Sequence, residues 1–176
     1  MEAAQLHNST EEKKGELFLY LSDFISRKRA FRIFLMASLI LWCLGFSFDS
    51  LFHGTVAAGI TYPFLKKIFH IVCHQLDEKT FNVNGAKLFV CARCTGIYLG
   101  ALIASLASLF YIKKISLNIK LLYISMIPML IDVGATTFKI YSYSKPLAFA
   151  TGLFFGSVVF VYILTAIENN FTGNSY

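Results

Sequence analysis

Four long apolar runs alternate with short polar ones along the chain, and this pattern sets the first expectation. Residues 33–51, 95–112, 121–138 and 147–167 carry almost no charge. A helix of ~20 apolar residues crosses the ~30 Å hydrocarbon core of a bilayer. The runs are close to that length, so they predict an all-α membrane protein with four transmembrane helices. Ahead of them, the segment begins polar and turns amphipathic. Leu17, Leu21, Phe24 and Ile25 fall on one face at helical spacing, widened by Phe18 and Tyr20. This predicts an interfacial N-terminal helix, lying on the membrane surface or packed on the end of the bundle. It lacks the early apolar core of a cleavable leader, so the N-terminus is expected to be retained. The expected organisation is an amphipathic segment over 1–30, a four-helix transmembrane domain over 31–168 with a Cys/His loop at 70–96, and a polar tail over 169–176.

Between the first two spans the pattern changes. Residues 52–59 read as a loop containing Gly54 and Gly59. Thr61-Tyr62-Pro63 reads as a helix start, with Pro63 at the first helical position, where an N–H is not needed. Residues 64–74 are too few to span and carry Lys66 and Lys67, which suits a short re-entrant or interfacial helix. After the polar turn Asp77–Lys79, two short runs, 81–83 and 86–90, flank Asn84-Gly85. That dipeptide between such runs is a strong short-range signal for a β-hairpin. The hairpin would return Cys91 and Cys94 toward Cys73.

Composition agrees with the pattern: 56% of residues are hydrophobic and 15% charged, against about 45–50% and about 25% in soluble domains. The net charge of +6 sits on lysines and arginines that flank the spans. It therefore speaks to topology and anionic headgroups rather than nucleic acid. The lipid bilayer is the expected partner, and a homo-oligomer or a further membrane protein is left open. On the N-terminal side lie Lys13, Lys14, Arg27, Lys28, Arg29, Arg32, Lys113, Lys114 and Lys120. Opposite are Lys66, Lys67, Lys79, Lys87, Arg93, Lys139 and Lys145. The tight cluster before the first span puts both termini in the cytoplasm and the cysteine loop outside it, in a multi-pass protein of the inner or plasma membrane.

Candidate chemistry is concentrated in one place. Cys73, Cys91 and Cys94 are three of the four cysteines, and His70 and His74 flank the first. Cys43, inside the first span, reads as a small apolar filler. Cys91-x-x-Cys94 followed by Gly96 resembles one knuckle of a zinc ribbon, and Cys73 with His70 or His74 would supply the other half. Three thiolates and an imidazole form an established tetrahedral set for zinc, with iron and copper ranked behind it. Adjacent Cys73 and His74 lie about 100° apart on a helix. They reach one ion together only if the helix ends there; otherwise His70 is the partner.

The alternative is a membrane thiol–disulfide oxidoreductase. The helix dipole, with Arg93 and Lys87, would activate the Cys91/Cys94 pair, and Cys73 would act as resolving thiol. A plain disulfide, or unreactive thiols capping the bundle, is the structural reading, and whether the chain is an enzyme stays open. Asp132 lies late in the third span, one turn after Pro128. It suits a proton or ion relay, a support for a histidine ligand, a salt bridge to Arg93, or pairing with Lys139 or Lys145. Gly96/Gly100 and Gly152/Gly156 are each four apart after a threonine, which suits close helix packing or a weak internal repeat.

Taken together, Cys73-His74-Gln75, Cys91-Ala92-Arg93-Cys94-Thr95-Gly96-Ile97-Tyr98-Leu99-Gly100, Pro128…Asp132 and Thr151-Gly152…Gly156 resemble an uncharacterised family of small prokaryotic membrane proteins, a domain of unknown function. The resemblance covers roughly 68–156. It implies an integral membrane protein in which Cys73, His74, Gln75, Cys91, Arg93 and Cys94 are the functional positions, and it favours His74 over His70 as the ligand. Gln75 and Arg93 would then orient or tune the ligands. It supplies no activity. The chain departs from the family pattern at Ala148, where members carry an arginine.

Overall fold

The computed structural model describes residues 29–52, 54–83, 85–110 and 119–171. The expected N-terminal amphipathic helix and the end of the polar tail lie outside the described residues. Five α-helices and one hairpin follow in order. They are α1 (Arg29–Leu51), α2 (Val56–Val72), a 3-10 turn (Asp77–Lys79), β1 (Thr80–Val83), β2 (Ala86–Cys91), α3 (Ala92–Phe110), α4 (Ile119–Thr137) and α5 (Lys145–Phe171). Helices α1, α3, α4 and α5 are long and apolar enough to cross a membrane. They expose large apolar side chains such as Phe34, Leu41, Ile103 and Ile131. In water that exposure would be costly, whereas toward acyl chains it is not.

Helices α3 and α5 approach backbone to backbone. A Cβ added at Gly96 or Gly100 would collide with the carbonyl oxygens of Phe149 and Leu153, and one at Gly152 or Gly156 with those of Arg93 and Ile97. The two Thr-Gly-x-x-x-Gly stretches are thus the two faces of a single interface rather than a repeat. In lipid, where burial of apolar surface gives helices no reason to associate, this closeness supplies the packing contacts that hold them. Ser157 Oγ adds a hydrogen bond to the Gly100 carbonyl at 3.0 Å.

Both ends of the bundle are tied. At one, Arg32 of α1 makes a two-pronged pair with Glu168 of α5 at 2.7 and 2.9 Å and donates to the Ser108 carbonyl of α3. At the other, Ser50 Oγ donates to the Val83 carbonyl at 2.7 Å, and Lys145 Nζ to the Thr80 carbonyl at 2.8 Å. The hairpin therefore caps the bundle from α1 to α5. Its strands pair antiparallel with Val83 opposite Ala86, and Gly85 takes φ +83, the left-handed turn conformation that glycine adopts without penalty.

Helix α2 differs from expectation at its start. Residues 56–59 are helical rather than loop, and Pro63 lies inside the helix rather than at its first position. The cap is Thr55, whose side chain accepts from the Ala58 N–H at 3.2 Å. A threonine cap fixes the first turn locally, and a lost proline donor eight residues on does not undo it.

Gly100→Leu and Gly156→Leu are expected to lower the stability of the detergent-solubilised protein by about 1–3 kcal/mol or more, since backbone cannot yield as a side chain does. Gly134→Ala, whose Cβ would meet nothing within 4 Å, is expected to be neutral or stabilising by up to about 1 kcal/mol. Thermal melts of the three variants check this.

Candidate metal centre

Three elements deliver one sulfur each. Helix α2 ends at Val72, and Cys73 caps it with its N–H on the Phe69 carbonyl at 2.9 Å and an extended backbone, φ −146 and ψ 136. Cys91 closes strand β2 opposite Thr80. Cys94 lies in the first turn of α3. Thr95 Oγ1 donates to the Cys91 carbonyl at 3.1 Å, bracing the strand-to-helix junction. The hairpin thus does what its sequence predicts: the ligand atoms of Cys73, Cys91 and Cys94 all lie within 4.8 Å of one another.

The trio rests on an aromatic floor. Phe46, Phe69, Phe89 and Val90 are buried with Cys73, and Trp42 and Tyr98 pack against them. Phe69 is central. It meets Trp42 edge-on at 5.0 Å and stacks on Phe89 at 6.1 Å. This packing fixes α2 against α1 and β2, and so fixes the first sulfur relative to the other two.

The electrostatics favour one thiolate, at Cys73. The Cys91 N–H points at Cys73 Sγ at 3.2 Å. Hydrogen bonds from the Cys91 and Cys94 side chains hold the Cys73 thiol far below its ordinary range and outweigh the opposing effect of burial, with backbone groups of Gln75 and Cys91 adding to them. Nearby, burial foremost pushes the Tyr143 hydroxyl up to about 12, so it stays protonated.

The histidines are placed differently. His70 and His74 are both exposed, and neither belongs to the close-set group. The helix does end before Cys73, but the extended backbone there sends consecutive side chains to opposite sides. Gln75 takes φ 48; its side-chain Nε2 donates to the Lys66 carbonyl at 3.1 Å, while its backbone supports the Cys73 sulfur.

Arg93 and Asp132 are brought together. The guanidinium pairs with Asp132 Oδ2. The Tyr141 hydroxyl donates to Oδ1, and the carboxylate side chain is 2% exposed. Of the partners open to Asp132, the structure selects Arg93, while Lys145 instead reaches the hairpin. Tyr141 was not singled out by sequence reasoning; its only signal was a tyrosine-bearing loop directly after the Asp-bearing span. This network ties α4 to the Arg93 that stands between Cys91 and Cys94.

Asp132→Leu is expected to cost about 3–5 kcal/mol, because it strands a largely buried guanidinium. Tyr141→Phe, which removes one hydrogen bond to a charged group, is expected to cost about 1.5–3 kcal/mol. Chemical unfolding in detergent measures both, and Arg93→Met combined with Asp132→Leu should cost less than the sum of the single changes.

Comparison with known proteins places these features in a family. Residues 73–162, from the first site cysteine into α5, match the family model described as predicted membrane protein (DUF2085). An uncharacterized protein of Methanocaldococcus jannaschii is 36% identical over 105 residues, 57% of this chain and 66% of that protein. The chain thus spans a little under two thirds of that relative's length. An uncharacterized protein of Methanothermobacter thermautotrophicus is 41% identical over 87 residues, 48% of this chain and 78% of that protein. No solved structure matches. The match to the family model covers the cysteine trio, the hairpin, Asp132 and both glycine pairs, and the chain belongs to this family of multi-pass membrane proteins.

Proposed function

We propose that the protein is a membrane-embedded holder of a thiophilic metal ion, zinc first, bound by Cys73, Cys91 and Cys94 as thiolates. The observation that carries this reading is the convergence of three sulfurs, from three separate elements, within 4.8 Å. With Zn–S bonds of about 2.3 Å, sulfurs at tetrahedral angles stand about 3.8 Å apart. The trio needs only a small contraction to reach that spacing. The N–H donor on Cys73 Sγ is the kind of outer support that holds a ligating atom in orientation.

The fourth position separates two forms of the site. His74 fills it if the segment after α2 turns over on loading, giving the closed set of a structural site. If His74 stays outside, the site keeps the open position typical of catalytic zinc. Arg93, held by Asp132, fixes the helix turn between two ligands and balances part of the thiolate charge.

Elemental analysis and free-thiol titration on one purified sample test the proposal. The expected result is about one ion per chain and thiols that react only after chelation. Cys73→Ser is expected to abolish stoichiometric binding. A metal-free chain with a Cys91–Cys94 disulfide opened by dithiol reductant would overturn the metal reading and favour thiol–disulfide chemistry. Cobalt substitution addresses the fourth ligand. A visible spectrum unchanged by His74→Ala but shifted by added imidazole assigns an open position, and a spectrum changed by His74→Ala assigns a closed one.

A further inference from the structure

The two charged layers of the bundle are closer together than a bilayer is thick. On α3, Arg93 and Ser108, the contact of Arg32, are fifteen residues apart, or about 22 Å at 1.5 Å per residue. On α4, Asp132 lies thirteen residues beyond Ile119, or about 20 Å. A typical hydrocarbon core is ~30 Å. If Arg32 and Glu168 mark one boundary, the hydrocarbon runs on for a further ~8 Å past Arg93 and Asp132.

Large apolar side chains are exposed past that layer, with Lys139 the charged residue among those after α4. Leu51 and Phe52 at the end of α1 are 57% and 49% exposed, and Phe138 and Ile140 after α4 are 80% and 75% exposed. Helix α2 adds a stripe of its own. Val56, Ile60, Phe64 and Ile71 are 80, 72, 68 and 84% exposed and fall within about 80° of arc at 3.6 residues per turn. The opposite face holds Leu65 and the buried Phe69. A short helix apolar on two faces, with one face open, has a second apolar partner. Phe69 fixes the depth of that face, because its ring contacts Trp42 and Phe46 of α1, which precede the end of that span by about one and a half to two and a half turns. The stripe therefore continues the lipid-facing surface of the spans. Lys67, in the middle of the stripe, has a stem long enough to carry its charge toward the headgroups.

We propose that α2 is immersed in the bilayer with Val56, Ile60, Phe64 and Ile71 against acyl chains, and that the Cys73–Cys91–Cys94 site lies inside the hydrocarbon boundary rather than on the membrane surface. This depth follows from the helices and not from metal binding, so it stands or falls separately from the reading above. It places the site where charged solutes in the water do not reach it directly.

Tryptophan quenching reads the depth. Trp42 is the single tryptophan of the chain, so the unmodified protein supplies the background and no core residue has to be replaced. Phe64→Trp, Ile71→Trp and Ile140→Trp alter exposed positions, and Asp77→Trp is the water-side control. Each is reconstituted in phosphatidylcholine vesicles and quenched either by lipid brominated along its acyl chains or by aqueous iodide. The expected result is several-fold stronger quenching by brominated lipid at 64, 71 and 140, with the reverse at 77. Iodide quenching at 64 and 71 comparable to that at 77 would overturn the proposal, as would lipid quenching confined to 140. If one variant fails to fold, the remaining α2 position still decides the question.

Discussion

Everything in this molecule is arranged around the place where two backbones touch. The four glycines of α3 and α5 bring the carbonyls of Arg93, Ile97, Phe149 and Leu153 into contact with the facing helix. Without hydrophobic force between helices in lipid, such closeness is a principal source of attraction. It also sets position. The Arg93 carbonyl rests on Gly152, so the turn that carries Arg93 and Cys94 is fixed by the same contact that joins the two spans. The site is built on the start of α3, the most buried of the described spans.

From that anchor the remaining parts are held by a few polar ties and one aromatic cluster. Arg93 takes hold of Asp132 and so draws α4 to the site. Lys145 and Ser50 hold the hairpin, and Phe69 holds α2. These ties differ in kind. The ion pair is costly to break because both groups sit largely out of water. The aromatic floor is apolar and tolerant, and its role is to set the separation between Cys73 and the other two sulfurs. A chain of 176 residues thus places three thiols together without a disulfide among them.

This arrangement also explains why the cysteines gather at one end. Cys91 and Cys94 straddle a strand-to-helix junction, and Cys73 ends a helix. Each position frees a side chain from regular packing while its backbone stays pinned. The hydrogen bond from the Cys91 N–H to Cys73 Sγ joins the two halves of the trio.

Much of this was legible in the residues alone. Span lengths, the Asn-Gly turn and the helical spacing of glycines are local signals, governed by rise per residue, allowed φ and side-chain size. They gave four spans, the hairpin and the return of Cys91 and Cys94 toward Cys73. The start of α2 was misread because Pro63 is a louder signal than the Thr55 cap, though the cap decided it. What no local rule supplies is the partner across space. That the two Thr-Gly-x-x-x-Gly stretches face each other, that Asp132 chooses Arg93 and Tyr141 over nearby lysines, and that the close-set group is the three sulfurs without His74 all depend on how separate helices dock. Docking is set by the summed fit of whole surfaces, and the residues of any one segment do not contain it.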